Sequence, residues 1–174
     1  EDLLFAAVDH VFSLGKQGLL VFGWHHFPMG KPKSLTVYGP QGESYEISTQ
    51  LFPIGRRDVS QAYKDRYPDF TDECGFVCLI PLSTERGEVR AVRYDFGELG
   101  DVWLRLESEA VELEGAALTR HILHTVPDLE GVGAGPVVGY LAEATHNADY
   151  RTEYEDYLGE LLAHERGRGI VVLD

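Results

Sequence analysis

The stretch that organises this sequence reads LLVFGW, residues 19–24, and follows the turn-forming residues 15–18. It is a short apolar run, partly β-branched and partly aromatic. Such a run, bounded by turn residues, is typical of a β-strand that is buried on both faces. We therefore expect a central strand over residues 18–27.

Shorter segments with a strand pattern lie on both sides of this run. We expect strands near residues 6–13, 35–38, 45–48, 75–82, 88–94 and 101–106, and a short helix near 59–66. The segments 35–38 and 45–48 flank a Gly-Pro-Gln-Gly turn, which predicts a hairpin. Short strands separated by frequent turn signals predict a mainly β fold, an antiparallel β-sandwich followed by an α-helical C-terminal segment.

The pattern changes after Ser108, where apolar residues begin to recur at helical spacing. We expect helices from 116 to just before Pro127, over 137–148 and over 150–164. The domain organisation predicted is a β-sandwich domain at 1–108 and an acidic helical extension at 109–174 that leads toward a downstream domain. Tyr154, Leu158 and Leu161 form one stripe, which predicts burial against the sandwich or a second chain, the latter giving a homodimer.

The composition limits the classes of partner. The formal charge is −14, with 11 basic and 16 acidic residues in 1–108 and 4 basic and 13 acidic residues in 109–174. A field of this sign repels phosphate backbones, so we expect no nucleic-acid partner. No stretch approaches the roughly 20 apolar residues of a transmembrane helix, so we expect no membrane span. We also expect the chain to be part of a longer polypeptide.

Two cysteines, Cys74 and Cys78, lie four residues apart in an apolar run. On one strand face they would be about 13 Å apart, too far for a disulfide. Two unpaired buried thiols are typical of a reducing compartment, so the predicted localisation is cytoplasmic.

The sequence offers little catalytic chemistry. His25 and His26 are adjacent on a predicted strand and should point to opposite faces, so they would not chelate one metal ion. We find no phosphate-binding glycine loop and no nucleophile elbow around a serine. We therefore expect no catalytic residue, no metal and no cofactor.

Aromatic residues on the predicted strands suggest a platform on which a sugar can stack, with core packing as the alternative. The candidates are Trp24, Tyr38, Tyr45, Tyr94 and Trp103. Trp24 lies inside the apolar run and should be a core residue. Trp103 is out of phase with the apolar residues of its strand, which predicts an exposed ring.

The segment from Arg57 to Gln61 has the form of a corner before a helix. Asp58 followed by Gln61 three residues later resembles a capping box, in which Asp58 would be the N-cap of the helix. Arg57 can then reach back to carbonyls or a carboxylate with its planar donors. We interpret the corner as structural, with a ligand role for Arg57 as the alternative.

These motifs together resemble a family. The residues GLLVFGW at 18–24, Arg-Asp-Val at 57–59 and Gly-Phe at 75–76 are similar to a β-sandwich module found in bacterial glycosyltransferase polypeptides. The resemblance covers residues 6–108 and, more loosely, 113–165. It implies a non-catalytic accessory domain that acts in glycan binding or domain assembly during polysaccharide biosynthesis.

Its partners would then be a glycan and the rest of its own polypeptide. The ligand-binding candidates are Trp103, Tyr94, Arg57, His25 and His26. The sequence has no Asp-x-Asp motif, so transferase activity itself is not expected of this chain. The alternative is a protein-interaction or oligomerisation module with no sugar ligand.

Overall fold

The computed structural model of the chain describes residues 2–14, 17–81, 89–106, 111–112, 115–126 and 134–167. The chain divides into two compact units, Glu1–Glu112 and Leu113–Asp174. The predicted boundary after Ser108 lies outside the described residues, as do most of the glycine-rich joint at 131–135 and the apolar end at 170–173.

The described part of the first unit contains nine strands and one α-helix. The strands are β1 (Phe5–Ser13), β2 (Leu19–His26), β3 (Ser34–Tyr38), β4 (Ser44–Glu46), β5 (Phe52–Ile54), β6 (Gly75–Ile80), β7 (Ala91–Asp95), β8 (Asp101–Arg105) and β9 (Val111–Glu112). The helix α1 (Arg57–Tyr63) lies between β5 and β6.

The first sheet has the order β5-β6-β2-β1-β9. Its neighbours are antiparallel, except that β9 runs parallel to β1. In β2 every residue from Leu19 to Trp24 is buried, which confirms the predicted strand with two buried faces. The sequence analysis missed β5, which is three residues long, contains Pro53 and lies at the sheet edge where proline is tolerated.

The second sheet is antiparallel and has the order β4-β3-β7-β8. The hairpin of β3 and β4 confirms the one predicted, with Tyr38 opposite Ser44. One hydrophobic cluster combines residues of both sheets, for example Val21 and Cys78 of the first with Val37 and Val92 of the second. The core of the first unit is therefore shared by the two sheets.

Two glycines of the resemblance motifs occupy positions that exclude a side chain. Gly18 has a φ of +117°, and a Cβ there would lie 2.1 Å from the carbonyl oxygen of Ile80. A Cβ on Gly75 would lie 2.5 Å from Cγ of Arg56. Both glycines are thus required by close approach of neighbouring groups.

The second unit contains α2 (Gly115–Thr125), α3 (Gly135–Thr145) and α4 (Asp149–Gly167). Helix α4 packs against both α2 and α3. Between α3 and α4 the chain reverses through His146, whose left-handed backbone, with a φ of 52°, ends α3. Asn147 follows, and its Oδ1 accepts a hydrogen bond of 2.9 Å from the backbone N–H of Asp149 at the start of α4.

The prediction of a mainly β chain is wrong about the relative amounts of strand and helix. Helices account for 36% of the structure and strands for 32%, so the chain is a mixture of α and β. The longest helix is α4, with 19 residues, most of which were predicted to be helical. What the structure shows is two largely antiparallel sheets in one unit and three helices in the described part of the other.

Candidate functional site

The candidate site is the outer face of the second sheet, defined by the side chains that alternate with buried ones. In β7 the buried residues Val92 and Tyr94 alternate with Ala91 and Arg93. On this outer face lie Thr36 and Tyr38 of β3, Ala91 and Arg93 of β7, and Asp101, Trp103 and Arg105 of β8. The face is polar apart from its two aromatic rings.

Tyr38 and Trp103 form an aromatic pair on this face. Their ring centroids are 5.1 Å apart, with an angle of 40° between the ring planes. Trp103 is 52% exposed, as its position in the strand predicted. Trp103 is thus the exposed member of the pair, whereas Tyr38 is partly buried.

Ala91 carries a small side chain between the larger side chains of the two neighbouring strands. The strand register places it directly opposite both Tyr38 and Arg105. Trp103 precedes Arg105 by two residues and therefore points to the same side of the sheet. We call this arrangement the Ala91 cup: Ala91 is its floor, and Tyr38, Trp103 and Arg105 surround it.

Arg93 lies beside the aromatic pair and is fixed in position by Asp101. Its Nε and Nη2 donate hydrogen bonds of 2.9 and 2.7 Å to Oδ2 of Asp101. Its guanidinium also hydrogen-bonds the Tyr38 side chain and lies 6.0 Å from the centroid of the Trp103 ring. The hydrogen bonds that Arg93 donates to Asp101 and Tyr38 raise its pKa, so its charge is fixed at any ordinary pH.

Arg105 differs from Arg93 because its charge is not neutralised locally. Its side chain is exposed at the end of β8. Among the described residues no carboxylate forms an ion pair with it. Among the described residues, the outer face therefore presents one guanidinium that is paired, Arg93, and one without a carboxylate partner, Arg105.

The predicted platform is smaller than the sequence suggested. Tyr94 is fully buried between the sheets, so it lies on the opposite face from Trp103 and does not belong to the outer face. Trp24 is 9% exposed and packs against Tyr63 and Phe70, which confirms it as a core residue. Tyr45 is partly buried against the core.

His25 and His26 point to opposite faces of β2, as predicted. The His25 ring stacks on Phe76 at 4.9 Å, whereas the His26 ring stacks on Phe70 at 4.3 Å. Burial, with a smaller contribution from Lys31, lowers the pKa of His25 to about 4. Burial also lowers the pKa of His26, against an opposing effect of Asp69. Neither ring lies on the outer face of the second sheet.

The corner before α1 is held by Arg56 rather than by Arg57. Arg56 is buried, and its Nε and Nη2 donate hydrogen bonds of 3.0 Å each to the carboxylate of Asp58. Its Nη1 donates to Asp9, the extra residue of a β-bulge in β1. Burial alone would lower the pKa of Arg56, but the hydrogen bonds that it donates to Asp58 and Asp9 raise it. Arg57 is 76% exposed and lies 3.9 Å from Asp72.

The capping box predicted for Asp58 and Gln61 is wrong. Helix α1 begins at Arg57, and its N-cap, Arg56, makes no side-chain capping bond. Asp58 lies in the first turn, where the hydrogen bond from Arg56 lowers the pKa of its carboxyl group. Gln61 is exposed. The missed residues, Arg56 and Asp9, are 47 positions apart, and no local pattern connects them.

The predicted stripe on α4 is used within the second unit. Tyr154 is buried, Leu158 and Leu161 are partly buried, and α4 packs on α2 and α3. Across the α2–α4 contact, Arg120 bonds Glu160 at 2.6 Å. The stripe thus has a partner inside this chain, and the homodimer stays a prediction.

The described residues also bear on the two cysteines, on metal binding and on membrane-spanning helices. Both cysteines are free and buried, and burial raises the pKa of Cys74 to about 11 and that of Cys78 to about 12. Within the described ranges, no three His, Cys, Asp or Glu side chains are grouped so that they could bind a metal ion. None of the helices in this part of the chain has the length and apolar composition needed to cross a membrane.

Comparisons with protein-family models, with curated proteins and with solved structures found no match to this chain.

Proposed function

We propose that this chain is a non-catalytic accessory domain that binds a glycan for a bacterial glycosyltransferase engaged in polysaccharide biosynthesis. The proposal places it in the cytoplasm, where its two buried thiols stay reduced. It also takes the two sheets of the first unit, which share one hydrophobic cluster, as an antiparallel β-sandwich.

The observation that carries the proposal is the exposed Trp103 ring, paired with Tyr38 beside the Ala91 cup. A pyranose ring has an apolar C–H face that stacks on an aromatic ring, while its hydroxyl groups need polar partners at the edge. Trp103 and Tyr38 supply the rings, and Arg93 and Arg105 supply donors around them. The two rings contact each other, and Arg93 beside them is fixed by its hydrogen bonds to Asp101, so we expect little side-chain freedom to be lost on binding.

The resemblance motifs support the glycosyltransferase setting through their structural roles. Gly18 and Gly75 occupy positions without room for a side chain, and Asp58 receives the hydrogen bonds of buried Arg56. These motif residues maintain the two-sheet unit rather than contact the outer face. In the proposal, ligand binding depends instead on Tyr38, Ala91 and Trp103.

The test is a titration of the whole chain with neutral oligosaccharides, followed by tryptophan fluorescence. Trp24 is buried and Trp103 exposed, so a ligand-dependent change reports mainly on Trp103. A shallow site predicts a Kd on the millimolar scale, about −4 kcal/mol. Calorimetry should show at least a tenfold loss of affinity for Trp103→Ala and for Ala91→Leu, which fills the cup.

The matched control is Met29→Ala, which removes another exposed apolar side chain outside the outer face. It should bind sugar as the wild type does. If no oligosaccharide at tens of millimolar changes the fluorescence or the heat, glycan binding is refuted and the chain is better described as a protein-interaction module.

A further inference from the structure

We propose that the Ala91 cup selects a sugar that carries a carboxylate, a hexuronic acid unit of an acidic glycan, and that Arg105 binds this carboxylate. The inference rests on the proposed function, because it concerns the same outer face. It assigns a ligand class and a specificity-determining residue.

The position of Arg105 makes it the natural partner of a substituent on the stacked ring. Arg105 lies two residues after Trp103 on the same side of β8, which separates their Cα atoms by about 7 Å. The strand register places Ala91 between Arg105 and Tyr38. A ring stacked on Trp103 over the cup therefore has its edge within reach of the Arg105 guanidinium.

Charge complementarity favours a carboxylate over a hydroxyl group at this point. Arg93 is neutralised by two hydrogen bonds to Asp101, whereas Arg105 has no carboxylate partner among the described residues. A planar guanidinium binds a carboxylate through two parallel hydrogen bonds, which gives both affinity and orientation. Arg105 is therefore able to distinguish a uronate from the corresponding neutral hexose.

The net negative charge of the chain does not oppose this local interaction. The acidic residue next to Trp103 on β8 is Asp101, which lies on the far side of Trp103 from Arg105 and is engaged by Arg93. At physiological ionic strength the screening length is about 8 Å, so distant carboxylates act weakly on a ligand in the cup.

The experiment compares a neutral glucose oligosaccharide with the glucuronate oligosaccharide of equal length and linkage, by calorimetry on the full chain. The wild type should bind the uronate about fivefold more tightly, the gain expected from one exposed charge pair. Arg105→Gln should remove this preference, so that the uronate and the neutral sugar bind with equal affinity. Arg105→Lys should retain part of it, since lysine keeps the charge but not the fork.

Arg57→Gln is the matched charge control, because it removes one exposed guanidinium far from β8 in the sequence and outside the outer face. It should leave the preference intact. Equal affinity of the wild type for both sugars, or an undiminished preference in Arg105→Gln, would overturn the inference while leaving glycan binding in place. Absence of binding by either sugar, or full binding by Trp103→Ala, would instead refute the proposed function.

Discussion

Arg56 is the residue on which the corner between β1 and α1 depends. Its buried guanidinium faces two carboxylates, Asp9 and Asp58. Arg56→Ala should destabilise the chain by about 3 kcal/mol or more, because it leaves both carboxylates without their partner. The exposed neighbour provides the control: Arg57→Ala should cost less than about 1 kcal/mol. Urea unfolding of both variants measures the difference, and equal losses would refute this account of the corner.

Substitutions of Asp58 can distinguish an ion pair with Arg56 from an N-cap role at the same corner. An N-cap aspartate can be replaced by asparagine at little cost. An aspartate that pairs with Arg56 loses its charge on this change, so Asp58→Asn and Asp58→Ala should lower stability to a similar extent. Thermal unfolding at pH 7 distinguishes the two, and an asparagine variant as stable as the wild type would restore the capping interpretation.

We expect the partly buried His25 ring to make the folded chain less stable in mild acid. Its pKa is about 4 in the folded chain because burial disfavours the charged ring, against about 6.5 in an unfolded chain. The unfolded state therefore takes up a proton first as the pH falls, and up to about 3 kcal/mol of stability is lost between pH 6.5 and 4. His25→Phe should remove this part of the pH dependence, whereas His164→Gln, at an exposed site on α4, should not. Unfolding curves between pH 7 and 4 give the comparison, and an unchanged slope in His25→Phe would contradict it.

For some single residues, the sequence pattern is enough to predict whether the side chain is exposed or buried. Trp103 could be predicted as exposed because Val102 and Leu104 fix the phase of its strand. The same reasoning applied to Val92 would have placed Tyr94 in the core. The choice between Arg56 and Arg57 could not be made this way, because it depends on the buried carboxylate of Asp9, which lies on a distant strand.

At the scale of elements, α4 supplies a cap to α3. The Tyr154 hydroxyl accepts hydrogen bonds from the backbone N–H groups of Ala134 and Gly135, where α3 begins without a side-chain cap of its own. Tyr154→Phe should therefore cost about 1 kcal/mol, the usual contribution of such bonds. The control is Tyr157→Phe, whose ring packs on His124 and which should cost less. If chemical denaturation finds the two variants equally stable, the cap is refuted.

Most elements could be predicted because their periodicity is local. The strand and helix segments expected from alternation and helical spacing are found within a few residues, including β1, β3, β8 and α4. The exceptions follow from contacts between distant residues. Helix α1 starts at Arg57, two residues early, and β5 forms only because β6 pairs with it.

For the whole molecule, we predict that the isolated chain does not turn over sugar nucleotides. The sequence has no Asp-x-Asp motif, and Asp101, the carboxylate beside Trp103 on β8, is engaged by Arg93. An assay for released nucleoside diphosphate, with Mg²⁺ and Mn²⁺ present, should give no signal above buffer. Metal-dependent release that persists through repurification would contradict the accessory role.

The candidate site, unlike a single strand or helix, forms only when distant strands of the first unit pair with one another. Tyr38 and Trp103 are 65 positions apart in the sequence, and Ala91 lies between them only because β3, β7 and β8 pair in this register. Sequence reasoning could name Trp103 and Tyr38 as aromatic candidates. It gave no signal for Ala91, Arg93 or Arg105, whose relevance comes from the strand order.

The most direct test of the account is a map of backbone amide and indole chemical shifts during titration with the glucuronate oligosaccharide. The largest changes should fall on the Trp103 indole and on the amides of Tyr38, Ala91 and Arg105, with no change at the amides of Arg56 or Tyr154. Saturating shifts that cluster elsewhere and leave the Trp103 indole unmoved would contradict the placement of a glycan site on the outer face.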